Sequence, residues 1–539
     1  MPQPYRSQIL DHLGLVAGMF DELGIADVID QATQQNPETR LVTVGHAVKA
    51  MVLNGLGFVN QQLYLVPMFF QNKPTHRLIA PGIEAPHLND DTLGRALDTL
   101  YDYGVTALYS LITTTAAQRL SLTPTFAHLD STSFHVDGRY NSAEEPDAHV
   151  IHITRGYSRD HRPDLNQVML DLIVEHQAGI PLLMQPLSGN TSDALDFRHI
   201  VTEHMAQLHT THGTAYLVAD SALYNEENLQ QLAHTRSKWI TRVPATLSEA
   251  QAALADADPE TMAPLMEGYR YHILASTYGG VAQRWARIYS EHRRPQARRT
   301  VEKHLRMQSA AAVKAFKKLG CTAFACEADA QQALATFAQG LQATSLHDVT
   351  MRPTLRYAKR GRPGKATVPD ERGYHIEGAL TSALAVRDAL VAQHSYFILA
   401  TNELDERALS PQELLAGYKG QKHAERGFRF LKDPLFLASS LYLKKPQRIM
   451  ALLMVMTVCL LVYAALEYRL RTALKAHQVT FPNQKGQPVQ NPTARWVFQY
   501  FVGIHLLLIP GQRPLVLNLT DEHQQLLRLL GTPYEAFYS

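Results

Sequence analysis

A chain of 539 residues is too long for one core, so two to four domains are expected, and its 45% apolar content is that of a soluble globular protein. Three cysteines exclude a disulfide framework and fit a reducing cytosol. The net charge of +1 singles out no partner, although Arg284 to Lys365 carries seventeen Lys/Arg against five Asp/Glu, which suggests a face for a polyanion or simply a solvated surface.

The opening "MPQPYRSQILDHLG" lacks a charged-then-apolar leader pattern. Residues 8–118 read as helices, because "TVGHAVKAMVLNGLGF" and "DDTLGRALDTLYDYG" place apolar residues at three- and four-residue steps. Asn89 or Asp90 would cap the second and Gly104 end it. The helices around "PGIEAPHLND" are compatible with a helix-turn-helix unit that reads DNA ends, and equally with plain packing.

Near residue 122 the pattern changes to strands. "TPTFAHLDSTSFHVDG" alternates, and "NQVMLDLIVEHQAGIPLLMQPLSGN" reads as two strands joined at "HQAG". A helix over 194–210, the strand "AYLVAD", the helix "NEENLQQLAH" and the strand "KWITRVP" follow. This order predicts an α/β mixed sheet with helices on its faces.

Residues 245–395 break the rhythm with basic clusters and short β-like pieces, and read as an inserted, partly β, basic domain. Within it, Cys321 and Cys326 lack a second pair at zinc-ligand spacing and are expected to be buried thiols. "SYFILATN" resumes the strand pattern. "IMALLMVMTVCLLVYAAL" (449–466) is long enough to span a membrane, yet it is solitary, has cations on both flanks and directly follows a polar helix, so it reads as a core helix. The expected domains are 1–120 (helical, DNA-binding), 121–244 and 396–475 (the two parts of the core), 245–395 (the insertion) and 476–539 (an extension).

Three acids could meet. Asp220 ends the apolar run "AYLVAD", where a strand leaves the core, and Asp130 lies on the first strand in a similar setting. Asp137 is an odd step from Asp130, facing the other side, and precedes Gly138, so it reads as a turn residue; Asp171 reads as solvent-facing. Glu425 is a carboxylate among Lys419, Lys422, Arg426, Arg429 and Lys432. Taken as one helix, Tyr418, Gln421, Glu425, Arg429 and Lys432 fall in an arc of about 80°. An ordinary surface helix with a Glu425–Arg429 pair accounts for the same pattern.

Asp130 in "HLDSTSF", Asp220 in "VADSALYN" and Glu425 in "YKGQKHAERGFRFLK" resemble the DDE transposases of bacterial insertion sequences. They are most similar to the branch whose last catalytic helix carries Tyr-x2-Arg-x3-Glu-x6-Lys, matched here by Tyr418, Glu425 and Lys432, with Gln421 in place of the arginine. "ITRGYSRDHRPDLNQVML" and "PTARWVFQYFVGIHLL" are also similar to that branch, and the likeness spans about residues 8–515.

The resemblance implies a ribonuclease H-like core that cleaves DNA at transposon ends and joins them to a target. Two Mg²⁺ ions (Mn²⁺ able to substitute) would be held by Asp130, Asp220 and Glu425. Tyr418, Gln421, Arg429 and Lys432 would contact phosphates; Gln421 supplies neither the charge nor the two-pronged fork of the arginine it replaces. The implied partners are double-stranded DNA, as terminal inverted repeats and target, and a second copy of the chain on paired ends, with no nucleotide cofactor and no membrane. The implied setting is the bacterial cytoplasm and its nucleoid. A nuclease or resolvase without strand transfer, and a DNA-binding relic, are the alternatives. "KRGRPGK" (359–365) resembles an AT-hook core, with Arg360 and Arg362 entering a narrow minor groove, and a solvated basic loop fits as well. Arg293, Arg294, Arg298 and Arg299 in "HRRPQARRTVEKHLR" are expected on phosphates. Trp239 and Trp285 are either core residues or receivers of a flipped base. His161, Arg162 and Asp164 suit a structural or a DNA-flanking role.

Overall fold

Apolar periodicity makes the N-terminal stretch helical, as expected. A short strand, β1 (Arg6–Ile9), precedes α1 (Leu13–Glu22), α2 (Ile25–Ala32), α3 (Val44–Leu56), α4 (Val66–Phe70), α5 (Thr75–Leu78), α6 (Asp90–Tyr103) and α7 (Val105–Arg119). The computed structural model describes residues 5–35, 40–58, 63–136, 140, 150–157, 162–191, 204–205, 208–255, 257–342, 344–356, 371–382, 384–433 and 443–539. Asn89 caps α6 by accepting the Thr92 N–H, and Gly104 ends it at φ 101°, a backbone region that favours glycine.

The helix-turn-helix reading does not hold for α3 and α6. A one-turn helix, α5, rather than α3, precedes "PGIEAPHLND". Twelve of the thirteen residues of α3 are buried, so it has no free face for a DNA groove. The first turn of α6 exposes Asp90 and Asp91, which repel phosphate.

Five strands follow in the first compact unit, which comprises Met1–Arg242, Thr277–Gln283 and Thr401–Ser539. These are β2 (Phe126–Val136), β3 (Asn166–Glu175), β4 (Pro181–Ser188), β5 (Tyr216–Ala219) and β6 (Lys238–Arg242), with α8 (Glu226–His234) between the last two. They lie in the order β4-β3-β2-β5-β6. The three long strands are antiparallel neighbours, whereas β2, β5 and β6 run parallel. The β3–β4 turn falls at the expected "HQAG", where the buried Glu175 carboxylate accepts the N–H groups of Gln177, Ala178 and Ile180. Of the helix expected over 194–210, residues 204–205 and 208–210 are described and are helical. Asp137 lies outside the described residues.

The second unit comprises Val243–Ser276 and Arg284–Ala400. It contains α9 (Ser248–Ala255), β7 (Ala263–Met266), β8 (Tyr269–Tyr278), β9 (Val281–Ser290), α10 (Arg294–Gly320), α11 (Glu327–Gln339), the hairpin β10 (Thr344–Arg356) and β11 (Glu371–Ser382), α12 (Leu384–His394) and β12 (Tyr396–Thr401). The strands stand in the order β12-β9-β8-β7, and the β8–β9 turn is grouped with the first unit. Periodicity did not reveal α10: it spans 27 residues, yet only Ala297 and Val301 are buried, so it has almost no apolar stripe. Cys321 and Cys326 are exposed, contrary to the burial expected of them. Cys321 follows the polar end of α10, and Cys326 caps α11, its Sγ accepting the Asp329 N–H at 3.4 Å.

The chain then returns to the first unit with α13 (Pro411–Lys419), α14 (Lys422–Leu431), α15 (Pro446–Ala476), the strand pair β13 (Phe481–Pro482) and β14 (Pro488–Val489), α16 (Ala494–Tyr500), β15 (His505–Leu508), β16 (Leu515–Leu517), α17 (Asp521–Leu530) and α18 (Thr532–Glu535). β15 pairs with β1 on one side and β16 on the other. The apolar stretch of α15 is buried, as expected of a core helix, and shares one apolar core with α1, α3, α6, α7, β3 and α17. At the start of α15, Arg448 grips Asp98 of α6 with two hydrogen bonds of 2.7 Å. Tyr534 and Tyr538 lie against Gly18 and Gly14 of α1, where added β-carbons would stand 2.7 Å and 2.6 Å from the rings.

Close helix packing has a visible weak point at Gly45 on α3. A β-carbon there would stand 2.7 Å from the carbonyl oxygen and 2.8 Å from the Cα of Ala26, and backbone cannot swing away. Gly45→Val should therefore destabilise the first unit by about 1–3 kcal/mol, the usual size of overpacking, read as a lower midpoint in thermal or urea unfolding.

Candidate active site

The parallel pairing of β2 and β5 sets the first two acids. Phe126 pairs with Tyr216, Ala127 with Leu217 and His128 with Val218. Carried on by two residues, this register puts Asp220 level with Asp130, on strands that neighbour at about 4.8 Å. Asp220 stands one residue past β5 and turns the chain: its Oδ1 accepts the Ala222 N–H at 2.9 Å, and its backbone carbonyl accepts from Thr241 Oγ1 at 2.5 Å. Asp130 is half-buried, and its Oδ1 accepts the Ser131 N–H at 2.9 Å.

The third acid arrives on a helix that follows β2. A β-carbon on Gly417 would stand 2.8 Å from the Phe126 ring, and one on Gly420 would stand 2.7 Å from His128 Nε2. Further along, Lys432 Nζ lies 5.9 Å from the centre of the Phe134 ring. Phe126, His128, Asp130 and Phe134 alternate onto one face of the strand. The helices therefore advance in the same direction as β2, and Asp130 falls level with the turn that carries Ala424 and Glu425. Ala424, Gly427, Phe428 and Leu431 are buried, while Glu425 stands on the exposed rim of α14.

One correction concerns the arc of five side chains. The helix is not continuous: α13 ends at Lys419 and α14 begins at Lys422. Across the join, the N–H groups of Gln421, His423 and Ala424 reach back three residues rather than four, a 3₁₀-type link at the glycine pressed on His128. Tyr418 thus belongs to α13, Gln421 is the residue before α14, Arg429 is on α14, and Lys432 closes it. Arg429 is exposed; Tyr418, Gln421 and Lys432 are half-buried.

The donors available to a metal are all carboxylate oxygens, which suit hard ions such as Mg²⁺ or Mn²⁺. Asp130 and Asp220 are level, and Glu425 rides the neighbouring helix turn. Among the described residues, however, no three of His, Cys, Asp and Glu stand close enough together to hold a metal ion. The donor chemistry fits the ions; the cage itself is not closed.

Other expected site residues fall elsewhere. Asp171 is 1% exposed, not solvent-facing, and pairs with Ser131, so it points away from Asp130. Trp239 and Trp285 are 0% and 3% exposed, so both are core residues with no face for a base. Arg293, Arg294, Arg298 and Arg299 lie at the start of α10 in the second unit, where Arg293 stacks on Phe397 and Arg298 bonds Glu302 at 2.9 Å. A groove of about 570 Å³ is lined by Arg294, Arg298 and Arg299 together with Arg387 of α12. Arg162 and Asp164 form an exposed two-pronged pair at 2.8 and 2.9 Å. Arg360, Arg362 and His161 lie outside the described residues.

Sequence reasoning missed His128, although "HLD" places it two residues before Asp130, on the same face. It is fully buried, and neither ring nitrogen has a hydrogen-bond partner. Burial, helped by the nearby His423 and His176, lowers its pKa from 6.5 to about 3. Below pH 6.5 the unfolded chain binds a proton that the fold refuses, so stability falls as pH drops from 6.5 towards 3. At pH 5 this one ring should account for a loss of about 2 kcal/mol relative to pH 7.5. His128→Gln should lose that much of the acid sensitivity in urea unfolding measured at the two pH values.

Comparison with known proteins gives the family of the chain. The family model described as "Transposase DDE domain" matches residues 123–462, and a domain of unknown function, DUF4277, matches residues 5–114. No curated protein matches the chain. Among solved structures, the chain is similar to the piggyBac transposase in its synaptic complex with hairpin DNA, determined by cryo-EM. The identity is 10% and the TM-score 0.36, over 93% of this chain and 83% of that one. Because the family model spans well over half of its length, the chain belongs to the DDE-domain transposases.

Proposed function

We propose that this transposase cleaves DNA at the ends of a bacterial insertion sequence and transfers the freed strands to target DNA, of the cut-and-paste type. Its sheet is read as a ribonuclease H-like core, and Asp130, Asp220 and Glu425 as the ligands of two Mg²⁺ ions, with Mn²⁺ able to substitute. The observation that carries this reading is the parallel register of β2 with β5, which, carried on by two residues, puts Asp220, just past β5, level with Asp130, beside the helix that bears Glu425.

Asp130, Asp220 and Glu425 would together hold the ions through their carboxylate oxygens. Bound there, such a pair activates the attacking oxygen and stabilises the leaving one. The protein's own part is positional. The Ala222 N–H fixes one oxygen of Asp220, and the Ser131 N–H fixes one of Asp130, so neither carboxylate turns freely. Tyr418, Gln421, Arg429 and Lys432 line the same helices and would hold phosphates beside the acids. Gln421 offers a neutral hydrogen bond where the related signature has an arginine; either Arg429 or Lys422 compensates for the missing charge, or the DNA end is gripped less tightly at that point. In the second unit, Arg294, Arg298 and Arg299 would hold DNA backbone without reading sequence. The working form in this reading is a dimer on two paired terminal repeats, acting in the bacterial cytoplasm.

The test is cleavage of a plasmid carrying the element's own ends, in Mg²⁺. Glu425→Gln should cut more than about 100-fold more slowly, a loss at least as large as that from removing an outer partner of a metal ligand. Undiminished cutting by that variant would remove Glu425 from the site. Pre-cleaved ends offered together with target DNA should be joined by the wild type; hydrolysis without joining would make the chain a nuclease or resolvase instead.

A further inference from the structure

We propose that Glu467 and Arg495 are positioning residues for Glu425, tying down the helix that bears it at its middle and just past its C-terminal end. The inference rests on the reading of Glu425 as a metal ligand.

Because the chain breaks into a 3₁₀ link at Gly420 and Gln421, α14 is not held rigidly by continuity with α13. Side chains must hold it. Midway along it the anchor is Arg426, the residue next to Glu425. Arg426 Nη2 donates to Glu467 Oε1 of α15 at 3.2 Å. Glu467 is only 6% exposed and takes two further partners: Arg471 Nη2 at 2.7 Å and, through Oε2, the Ala494 N–H at 3.0 Å. A buried carboxylate facing two guanidiniums and a backbone N–H has little freedom to move.

At the C-terminal end, Asp433 follows α14 and pairs with Arg495. The guanidinium of Arg495 also lies over the Phe58 ring, 5.1 Å from its centre, and its backbone N–H donates to the Tyr463 hydroxyl at 3.2 Å. Between the two ties, Phe430 of α14 packs on Tyr463, with ring centres 4.6 Å apart, and edge-on to Phe58 at 6.1 Å. Both ties lead to the first two residues of α16, Ala494 and Arg495. That short helix, some seventy residues beyond Glu425 in the chain, therefore fixes where Glu425 stands. A metal ligand displaced by a fraction of an ångström binds poorly, which gives such outer partners their weight.

The experiment uses the full chain with Glu467→Gln, Arg495→Gln and Arg495→Lys. The first readout is amide hydrogen exchange without metal. The 422–431 amides should exchange about tenfold faster in both Gln variants, while the interior of α15 keeps its protection. Arg495→Lys, which keeps a charge facing Asp433, should restore the protection. The second readout is the Mg²⁺ concentration for half-maximal plasmid cleavage, which should rise about tenfold in the Gln variants, with binding to the DNA end unchanged. Wild-type protection of 422–431 in both Gln variants would overturn the proposal. So would a loss of protection spread over the whole first unit with the Mg²⁺ requirement unchanged. Glu425→Gln in the same assay separates the two readings. If it cuts undiminished, the metal-ligand reading fails whatever the exchange shows; if it is inactive and 422–431 stays protected in the Gln variants, only the present inference fails.

Discussion

A helix of 31 residues that is apolar around most of its circumference must be covered on every side, and meeting that demand organises the first unit. The cover for α15 is drawn from remote parts of the chain: α1, α3, α6 and α7 from the N-terminal stretch, one face of the antiparallel strands, and α17 from the far end. The N-terminal helices are accordingly one wall of a shared interior. Polar contacts enter this interior sparingly, and Glu467 is satisfied from several sides.

The acids inherit their placement from this apolar arrangement. Val168, Leu170, Leu172 and Met184 face the same core, and with the antiparallel pairing they fix which side of β2 looks towards α14. A slip of one residue would turn Asp130 to the opposite face and leave Ser131 in its place. Gly427 lets α14 lie close on α15, since a β-carbon there would come within 3.0 Å of Leu460. Asp130 is thus placed by hydrophobic register at the strand, and the helix of Glu425 by glycine.

The succession of strands along the chain and the long core helix were legible in the sequence because alternation and an unbroken apolar run survive any context. Asp130 and Asp220 could be picked out because each interrupts such a run where a charge needs a reason. Glu425 stood out by charge contrast, but the break at Gly420 did not, and the side chain Gly420 lies against, His128, comes almost three hundred residues earlier. The same limit applies to α10, whose stability comes from little burial and whose pattern matches that of a solvated basic segment. Cys321 and Cys326 were misplaced because thiols are usually interior, whereas these two sit at helix ends, where backbone polarity rather than burial decides. Asp171 was misplaced for the opposite reason: alternation tells which face a side chain takes, not whether that face is covered.

The two tyrosines lodged on Gly14 and Gly18 bear on how the molecule is made. The groove along α1 is closed by side chains that leave the ribosome some five hundred residues after the helix does. At ordinary elongation speeds that gap is on the order of half a minute or longer. Throughout that interval the nascent chain presents an unfilled apolar notch to whatever binds emerging polypeptides, and the first unit can reach its final packing only once Tyr534 and Tyr538 have emerged.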